Sequence, residues 1–543
     1  MGIEKSLKNS SVPGKVAILS RLFLIAALGV VLTGAVGCAG VTKGPVLLGV
    51  SEHRAALMWE TEIEGPGEVL YGKGNVLDKK VTTEPVQVKY EIKEKGEADK
   101  KKVAFIHKAQ LENLEPGSAY SYRVTGPRVP LLQQIAMLGR SRIQHKVYKF
   151  RTVPDETDEV TFLVYGDSRT DPKTHRKVVE QMMKKKVDFV VHCGDLVSSG
   201  DSYRQWGPQH FSPVKGFVET MPMYIIKGNH EGNNGNYEKL LVPEDRKNSF
   251  SFDYGPLHYL CVDNASKGLK TEELLKMIAS DVKNSTARWK FVNYHIPSIN
   301  FGGHWSAWGS PDALPMLSKS GVDFVITGHS HQYERFRPVA PPSNSDGGYV
   351  TYITCGGGGA PLSRIKQSIY HAEAGKIYHF CLFHIKGDEL TMDTFDINGK
   401  IIDHLKIVKT DGRLNKQYLW TAVPVAAVHL HQNLYRAKPT RLSTRPKKNQ
   451  PFNVTYKLSV PALGEPAKMT FKLRSDQGKY KLPGPKTLMI PKEGGTFNVE
   501  FAVVPLTEVK VSKKPIVPAL SLECHYEIGR VKEQISHPII AKP

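Results

Sequence analysis

FLVYGDSRTD, Phe162 to Asp171, is a run of apolar residues that stops abruptly at Gly166-Asp167 and carries an arginine, Arg169, two places further on. An unbroken apolar run of this length, bounded by turn-forming residues, reads as a strand buried on both faces. The same pattern recurs four times: DFVVHCGD (188–195), PMYIIKGN (222–229), KFVNYH (290–295) and DFVITGH (323–329). Between these runs the apolar residues take helical spacing. Val178, Val179, Met182 and Met183 share one face, and so do Leu274, Leu275, Ile278 and Val282. Strands alternating with amphipathic helices predict an α/β domain whose sheet is covered on both faces, over residues 158–409. YVTYITCGG and HFCLFHIKGDELTMDTFDINGKIID continue it as consecutive strands.

The flanks follow a different rule. Over 44–153, AALMWETE, GEVLYGKG, SAYSYRVTG and KVYKFRTVP alternate polar and apolar residues, the period of a half-buried strand, and predict a β-sandwich. Pro116-Gly117 marks a turn, and Glu91–Lys102 a hairpin or long loop. PVAAVHLHQ (424–432) reads as a strand inside a linker over 410–451, which ends in the Pro- and Lys-rich RAKPTRLSTRPKKNQP. From 452 to 543 the alternation returns in FNVTYKLSV, AKMTFKLRS and GTFNVEFAV, which predicts a second, immunoglobulin-like sandwich. No chemistry is legible in it.

The first 38 residues have the layout of an export signal. Lys5, Lys8, Lys15 and Arg21 precede LFLIAALGVVLTGAVG and then Cys38. AVGC resembles a lipobox, whose cysteine is lipidated after cleavage. The expectation is an exported chain in the cell envelope, lipid-anchored on a membrane or secreted. A net charge of +21 over 543 residues favours anionic partners. The lysines are scattered rather than interleaved with aromatics, so a nucleic-acid ligand is not expected. Cys193, Cys261, Cys355, Cys381 and Cys524 are widely spaced, show no disulfide framework, and read as buried thiols.

Each recurring strand ends in a group able to ligate a metal. These are Asp167, Asp195 in GDLV, Asn229 and His230 in GNHE, His295 in NYHIP, and His329 and His331 in GHSHQYER. In α/β sheets, sites gather beyond the carboxyl ends of strands. Carboxylate, amide oxygen and imidazole together suit Fe, Mn or Zn.

The ordered set GD, GDLV, GNHE, NYH and GHSH resembles the calcineurin-like metallophosphoesterase superfamily. GHSHQYER, Trp206, Phe211 and Pro213 before GNHE, and YVTYITCGGGGAP resemble its purple acid phosphatase branch, as does the preceding fibronectin type III-like pattern. The resemblance implies a central α/β sandwich of two sheets flanked by helices, and a phosphoric ester hydrolase with two metal ions. Asp195 would bridge both ions. Asp167 and His331 would hold one; Asn229, His295 and His329 the other. His230 would act beside the phosphate as hydrogen-bond donor or general acid, and His304, nine residues after His295, would contact the phosphate. Glu334 would support the His329/His331 loop. The implied reaction is in-line attack on a phosphate ester by a metal-bound hydroxide.

Two positions depart from the family. Where the superfamily has Asp-x-His, this chain has Asp167-Ser168-Arg169; where purple acid phosphatases have a tyrosine, it has Ser198. The first metal therefore lacks an evident fourth protein ligand, leaving water, Ser198 or His175 to complete it. Arg169 reads either as a structural ion-pair residue or as a guanidinium fork; the expectation is that it points at the substrate phosphate and ligates no metal. The competing reading is a catalytically inactive envelope adhesion or scaffold protein that keeps the fold.

Overall fold

The computed structural model describes residues 36–38, 40–92, 100–130, 146–341, 348–365, 367–419, 421–443, 445–475, 478–509 and 516–541. The expected export signal lies outside them except for Val36–Cys38, a short strand paired antiparallel with Arg128–Pro130. The chain divides into two compact units: one runs to Thr152 and takes in Val218–Thr220, and the other holds the remainder from Val153.

The first unit contains two four-stranded antiparallel sheets. One orders Val41–Val50, Ala55–Thr61, Lys100–Leu111 and Val86–Ile92; the other orders Tyr148–Arg151, Ala119–Thr125, Gly67–Lys73 and Lys79–Thr83. Alternate residues of both sheets, among them Leu57, Trp59, Val69, Leu111, Tyr122 and Phe150, form its core. Glu91–Lys102, expected as a hairpin or long loop, takes in the facing ends of two antiparallel strands, Val86–Ile92 and Lys100–Leu111, with Ile92 opposite Lys100; residues 93–99 lie outside the described ones. At the Pro116-Gly117 turn, the Tyr120 hydroxyl accepts from the Glu115 N–H at 2.9 Å.

In the second unit, two seven-stranded sheets pack face to face. The first orders Met223–Ile225, Phe189–His192, Glu159–Tyr165, His379–Lys386, Glu389–Asp396, Ile401–Thr410 and Arg413–Leu414. Its first three strands are parallel, and the rest form an antiparallel series. The second sheet orders Phe250–Tyr254, Leu257–Val262, Trp289–Tyr294, Phe324–Thr327, Thr351–Cys355, Tyr333–Phe336 and His371–Gly375, with four parallel strands in its middle. The opening stretch explains why the sheets adhere. Phe162 stacks on Phe189 and Phe383 of its own sheet at 5.0 Å each, and meets Phe291 of the other edge-on at 5.6 Å. Such aromatic pairs add about 0.5–1.5 kcal/mol each beyond the area they bury.

Helices cover the outer faces. In Pro172–Met182, Val178, Val179 and Met182 are buried, and the carboxylate of Asp171 caps the first turn. Met183, expected on the same face, is the C-cap and is 41% exposed. In Thr271–Asn284, the four expected residues are buried.

The C-terminal residues form a second antiparallel two-sheet layer, of Phe452–Val460, Gly495–Pro505 and Tyr480–Lys481 against Lys486–Ile490, Ala467–Ser475, Ile516–Ile528 and Val531–Ile540. The strand expected at Pro424–Gln432 is instead part of a helix, Val425–Arg436, which is largely buried, whereas residues 437–451 of the expected linker are mostly exposed. Val425 to Leu430 all pack inward, so the apolar run carries no amphipathic gap to betray its period. The helix joins one hydrophobic core that runs from Ile278, Leu314 and Tyr352 through Leu430 to Tyr456, Phe471 and Tyr526. Five cysteines, Cys193, Cys261, Cys355, Cys381 and Cys524, are buried free thiols.

Candidate metal centre

The parallel strands of both sheets deliver their last residues to one place. Asp167 follows Tyr165, Asp195 follows His192, and Asn229 follows Ile225 in the first sheet; His295 and His329 follow Tyr294 and Thr327 in the second. Asp167, Asp195 and His295 are buried, with ligand atoms all within 4.8 Å of one another. His295 Nε2 lies 3.3 Å from Asp195 Oδ1 and 3.0 Å from Asn229 Oδ1. His329 Nδ1 lies 2.8 Å from that same amide oxygen, and His331 Nε2 lies 3.6 Å from Asp167 Oδ1.

Local structure pays for this convergence. Asp167, Asp195 and His329 have φ of 55°, 60° and 66°, the left-handed region that non-glycine residues rarely adopt. Strain of this kind is held only where surrounding contacts over-determine it. The carboxylate of Asp167 accepts from the His329 N–H at 2.9 and 3.1 Å, and Asp195 Oδ1 accepts from the His230 N–H at 3.0 Å. The glycines before the ligands leave room for these contacts. A Cβ on Gly228 would lie 2.3 Å from Asp195 Oδ1, and one on Gly328 would lie 2.6 Å from Asp167 Oδ2. CGGGGAP packs alongside, with the Ala360 N–H donating to the Asp167 carbonyl at 2.8 Å.

The backbone also sets which nitrogen each imidazole presents. His295 Nδ1 donates to the Cys193 carbonyl at 2.7 Å, His331 Nδ1 to the Pro361 carbonyl at 2.9 Å, and His230 Nδ1 to the Ser198 carbonyl at 2.8 Å. A carbonyl only accepts, so Nδ1 carries the proton and Nε2 is turned toward the centre. Burial, reinforced by His295, pushes His329 down to about 3, and burial pushes His331 down to about 4. Both are therefore neutral, the state in which imidazole binds a metal. Burial lowers His304 as well, helped by Arg169. Burial and the neighbouring Asp195 raise the Asp167 carboxyl. Burial opposes the charge on Asp195 too, but His295, His230 and Arg169 outweigh it and leave that carboxyl lowered.

His230 and His304 flank the cluster. His230 Nε2 lies 3.9 Å from Asp195 Oδ2, and the His304 ring is 5.0 Å from His331 and 5.5 Å from His329. Arg169 is the surprise. Its side chain, 14% exposed, does not project into open space: Nε donates to Asp195 Oδ2 at 3.3 Å, and Nη2 sits 3.3 Å from His331 Nε2.

Glu231, one residue beyond His230, carries a role that the sequence reading did not assign. Its buried carboxylate accepts from the N–H groups of Asp195, Leu196 and Gly228 at 2.7–2.8 Å, clamping two ligand loops together. Burial, then the charge of Asp195, pushes it up to about 8. Glu334 differs from expectation: it holds the Phe301 N–H and His371, each at 3.2 Å, and so braces the loop that leads to His304. Ser198 is turned to Gln209 Oε1, which accepts from its N–H and hydroxyl at 2.8 and 3.0 Å. His175 lies between Tyr165 and the Gln209 carbonyl. Neither reaches the cluster to complete a metal.

The donor atoms fit one cation well. With its Nδ1 proton given to the Cys193 carbonyl, neutral His295 turns the lone pair of Nε2 toward Asn229 Oδ1 at 3.0 Å, beside a carboxylate. A positive ion among them would take all three as ligands. The other set, Asp167, Asp195 and His331, fits less well, because the guanidinium of Arg169 lies against two of its three members.

Residues 160–333 match the calcineurin-like phosphoesterase family model. Among curated relatives, the chain is 26% identical over 318 residues to "Probable inactive purple acid phosphatase 1" of Arabidopsis thaliana, a match covering 48% of this chain and half the length of that relative. It is 23% identical to purple acid phosphatase 21 of the same plant, covering 60% of this chain and 76% of the relative. It is 24% identical to acid phosphatase type 7 of Mus musculus, covering 56% and 77%. Among solved structures, a purple acid phosphatase from yellow lupin (Lupinus luteus) seeds superposes with a TM-score of 0.52 at 16% identity, covering 72% of this chain and 77% of the lupin chain, a likeness of fold.

Proposed function

We propose that this chain, whose central domain is of the calcineurin-like phosphoesterase superfamily on its purple acid phosphatase branch, is a metal-dependent hydrolase of phosphate esters. One observation carries the reading. Five strand ends from two sheets bring Asp167, Asp195, Asn229, His295 and His329 together, with candidate ligand atoms 2.8–3.3 Å apart. Buried carboxylate, amide oxygen and imidazole converging in this way are the donor set of a bound cation.

The residues that would hold the ion are Asp195, Asn229, His295 and His329. The family's pattern adds a second ion at Asp167, Asp195 and His331, with Fe, Mn or Zn as the metals. A metal ion there supplies positive charge for the phosphate oxygens and acidifies water toward neutral pKa. The chain's own side chains do the rest. His230, oriented by Ser198, presents Nε2 beside the cluster and is placed to bind a phosphate oxygen or give a proton to the leaving oxygen. His304, exposed on its loop beside His329 and His331, meets the phosphate from the open side. Arg169 adds fixed positive charge at the same face.

The wider reading is part of the proposal. Residues 1–38 are an export signal ending in a lipobox at Cys38, and the mature chain works in the cell envelope, anchored by lipid or secreted. Residues 44–153 are a fibronectin type III-like domain, 158–409 the catalytic domain and 452–543 an immunoglobulin-like domain. The Tyr120 hydroxyl closing its turn onto Glu115 supports the first of these.

The test is turnover of an aryl phosphate monoester and a bis-aryl diester by the purified chain, before and after chelation and with Mn²⁺, Zn²⁺ or Fe restored. Hydrolysis that disappears with the metal and returns with it supports the reading, and the ratio of the two rates assigns monoesterase or diesterase. A second reading, an envelope scaffold that has kept the fold without the chemistry, draws on Arg169 lying against two donors. It predicts neither metal content nor turnover.

A further inference from the structure

Asp195 divides its two oxygens. Oδ1 faces His295 Nε2 at 3.3 Å, on the side of Asn229 and His329, while Oδ2 receives Arg169 Nε at 3.3 Å. On the same guanidinium, Nη2 reaches His331 Nε2 at 3.3 Å. The Nδ1 proton of His331 is already given to Pro361, so Nε2 is the lone pair that an N–H of arginine can enter. The guanidinium is thus anchored on two of the three atoms that a first metal ion would need. The Arg169 backbone is fixed as well, its N–H donating to the Asp195 carbonyl at 3.2 Å.

Among the described residues, neither family position supplies a replacement ligand. The place where the superfamily carries a ligating histidine is Arg169 itself, and the place of the purple acid phosphatase tyrosine is Ser198, held by Gln209. A guanidinium is permanently charged, planar and rich in donors, so it satisfies a carboxylate and an imidazole together. It also repels a second cation brought to the same atoms.

We propose that the side chain of Arg169 takes the place of the first metal ion, so that the centre binds one ion, at Asp195, Asn229, His295 and His329, and supplies its second positive charge from the chain. This rests on the metal-dependent reading above and narrows it: one charge is exchangeable and the other is covalent. The substrate phosphate would lie between the ion and the guanidinium, which, with Nε on Asp195 and one Nη2 hydrogen on His331, would meet it as a fixed positive charge.

The experiment is metal stoichiometry on the full chain, by elemental analysis after loading with excess Mn²⁺ and desalting, with the electron paramagnetic resonance of the loaded protein as a second readout. The wild type is expected to hold one equivalent of Mn²⁺ and to show the six-line signal of an isolated ion. Arg169→His, which removes the charge and supplies the missing imidazole, is expected to hold two equivalents with an exchange-coupled signal. Two equivalents in the wild type, with metal-dependent turnover, overturn the proposal and leave the hydrolase reading standing. No metal in the wild type overturns both. One equivalent in wild type and Arg169→His alike shows that the guanidinium does not exclude the second ion, and also overturns the proposal. If Arg169→His does not fold, Arg169→Gln replaces it, with a second, weaker equivalent expected at millimolar Mn²⁺ and its absence counting against the proposal.

Discussion

At the scale of single residues, the centre depends on atoms that have no substitute nearby. Asp195→Asn removes the charge that both donor sets share, and His295→Ala removes the one Nε2 that touches both Asp195 and Asn229. Each variant is expected to lower aryl phosphate turnover by at least about a thousandfold, since the effects of losing charge and geometry compound at a metal site. Elemental analysis is expected to show reduced metal content beside it. Wild-type rates in either variant exclude the hydrolase reading. These candidate ligands stood out in the sequence because each lies at the end of an apolar run. Glu231 did not. Its neighbour His230 draws the eye, and the three N–H groups it holds come from positions 195, 196 and 228, which only the fold brings together. The placement of Arg169 was legible as an anomaly but not in its direction, because a side chain two residues past a ligand can turn either way.

At the scale of elements, the loops after the strands have no room for an added methyl group. Gly228→Ala would force Asp195 aside, since its Cβ would lie 2.3 Å from Oδ1 and 2.4 Å from the backbone nitrogen. A displacement of about 1 Å costs on the order of a hundredfold in rate. Turnover and Mn²⁺ affinity are both expected to fall, with far-ultraviolet circular dichroism unchanged. Away from the centre, His258 ties the hairpin of Phe250–Tyr254 and Leu257–Val262 to helix Thr271–Asn284. Burial would lower it, but Asp253 and Asp281, each 2.7 Å away, raise it from the usual 6.5 to about 9. A histidine raised on folding stabilises the folded state fully below about pH 6.5, and that contribution is lost as pH rises through about 9. His258→Gln is therefore expected to lower Tm most at pH 6 and hardly at all at pH 10. A Tm difference independent of pH argues against it. Periodicity made helix Thr271–Asn284 legible, whereas Val425–Arg436, apolar on nearly every side, looked like a strand.

At the scale of the whole molecule, one of the two hydrophobic cores of the second unit joins the α/β layer to the C-terminal sheets. The Val425–Arg436 helix lies inside it, with Leu430 and Leu434 fully buried, Gln432 Nε2 donating to the Ser298 carbonyl at 2.7 Å, and His537 Nε2 donating to the Leu434 carbonyl at 2.9 Å. Leu430→Ala is expected to cost about 2–5 kcal/mol, as for a large-to-small change in a packed core. It is expected to move the thermal transitions of the α/β layer and of the C-terminal sheets together. Separate midpoints, read by loss of metal-dependent turnover and by near-ultraviolet signal, would show two independent cores. The sequence marked the two regions by their different periods but not their union, because an interface between layers is built from the same residue types as a core.

The left-handed backbone at Asp167, Asp195 and His329 has a consequence for anyone who tries to improve this protein. Each such residue costs roughly 1–2 kcal/mol relative to glycine, and two of them are acids buried side by side. Library selection for heat resistance alone would therefore converge on these three positions first, exchanging them for glycine or asparagine and enriching for robust, inert variants. Any such campaign has to screen for turnover from its first round.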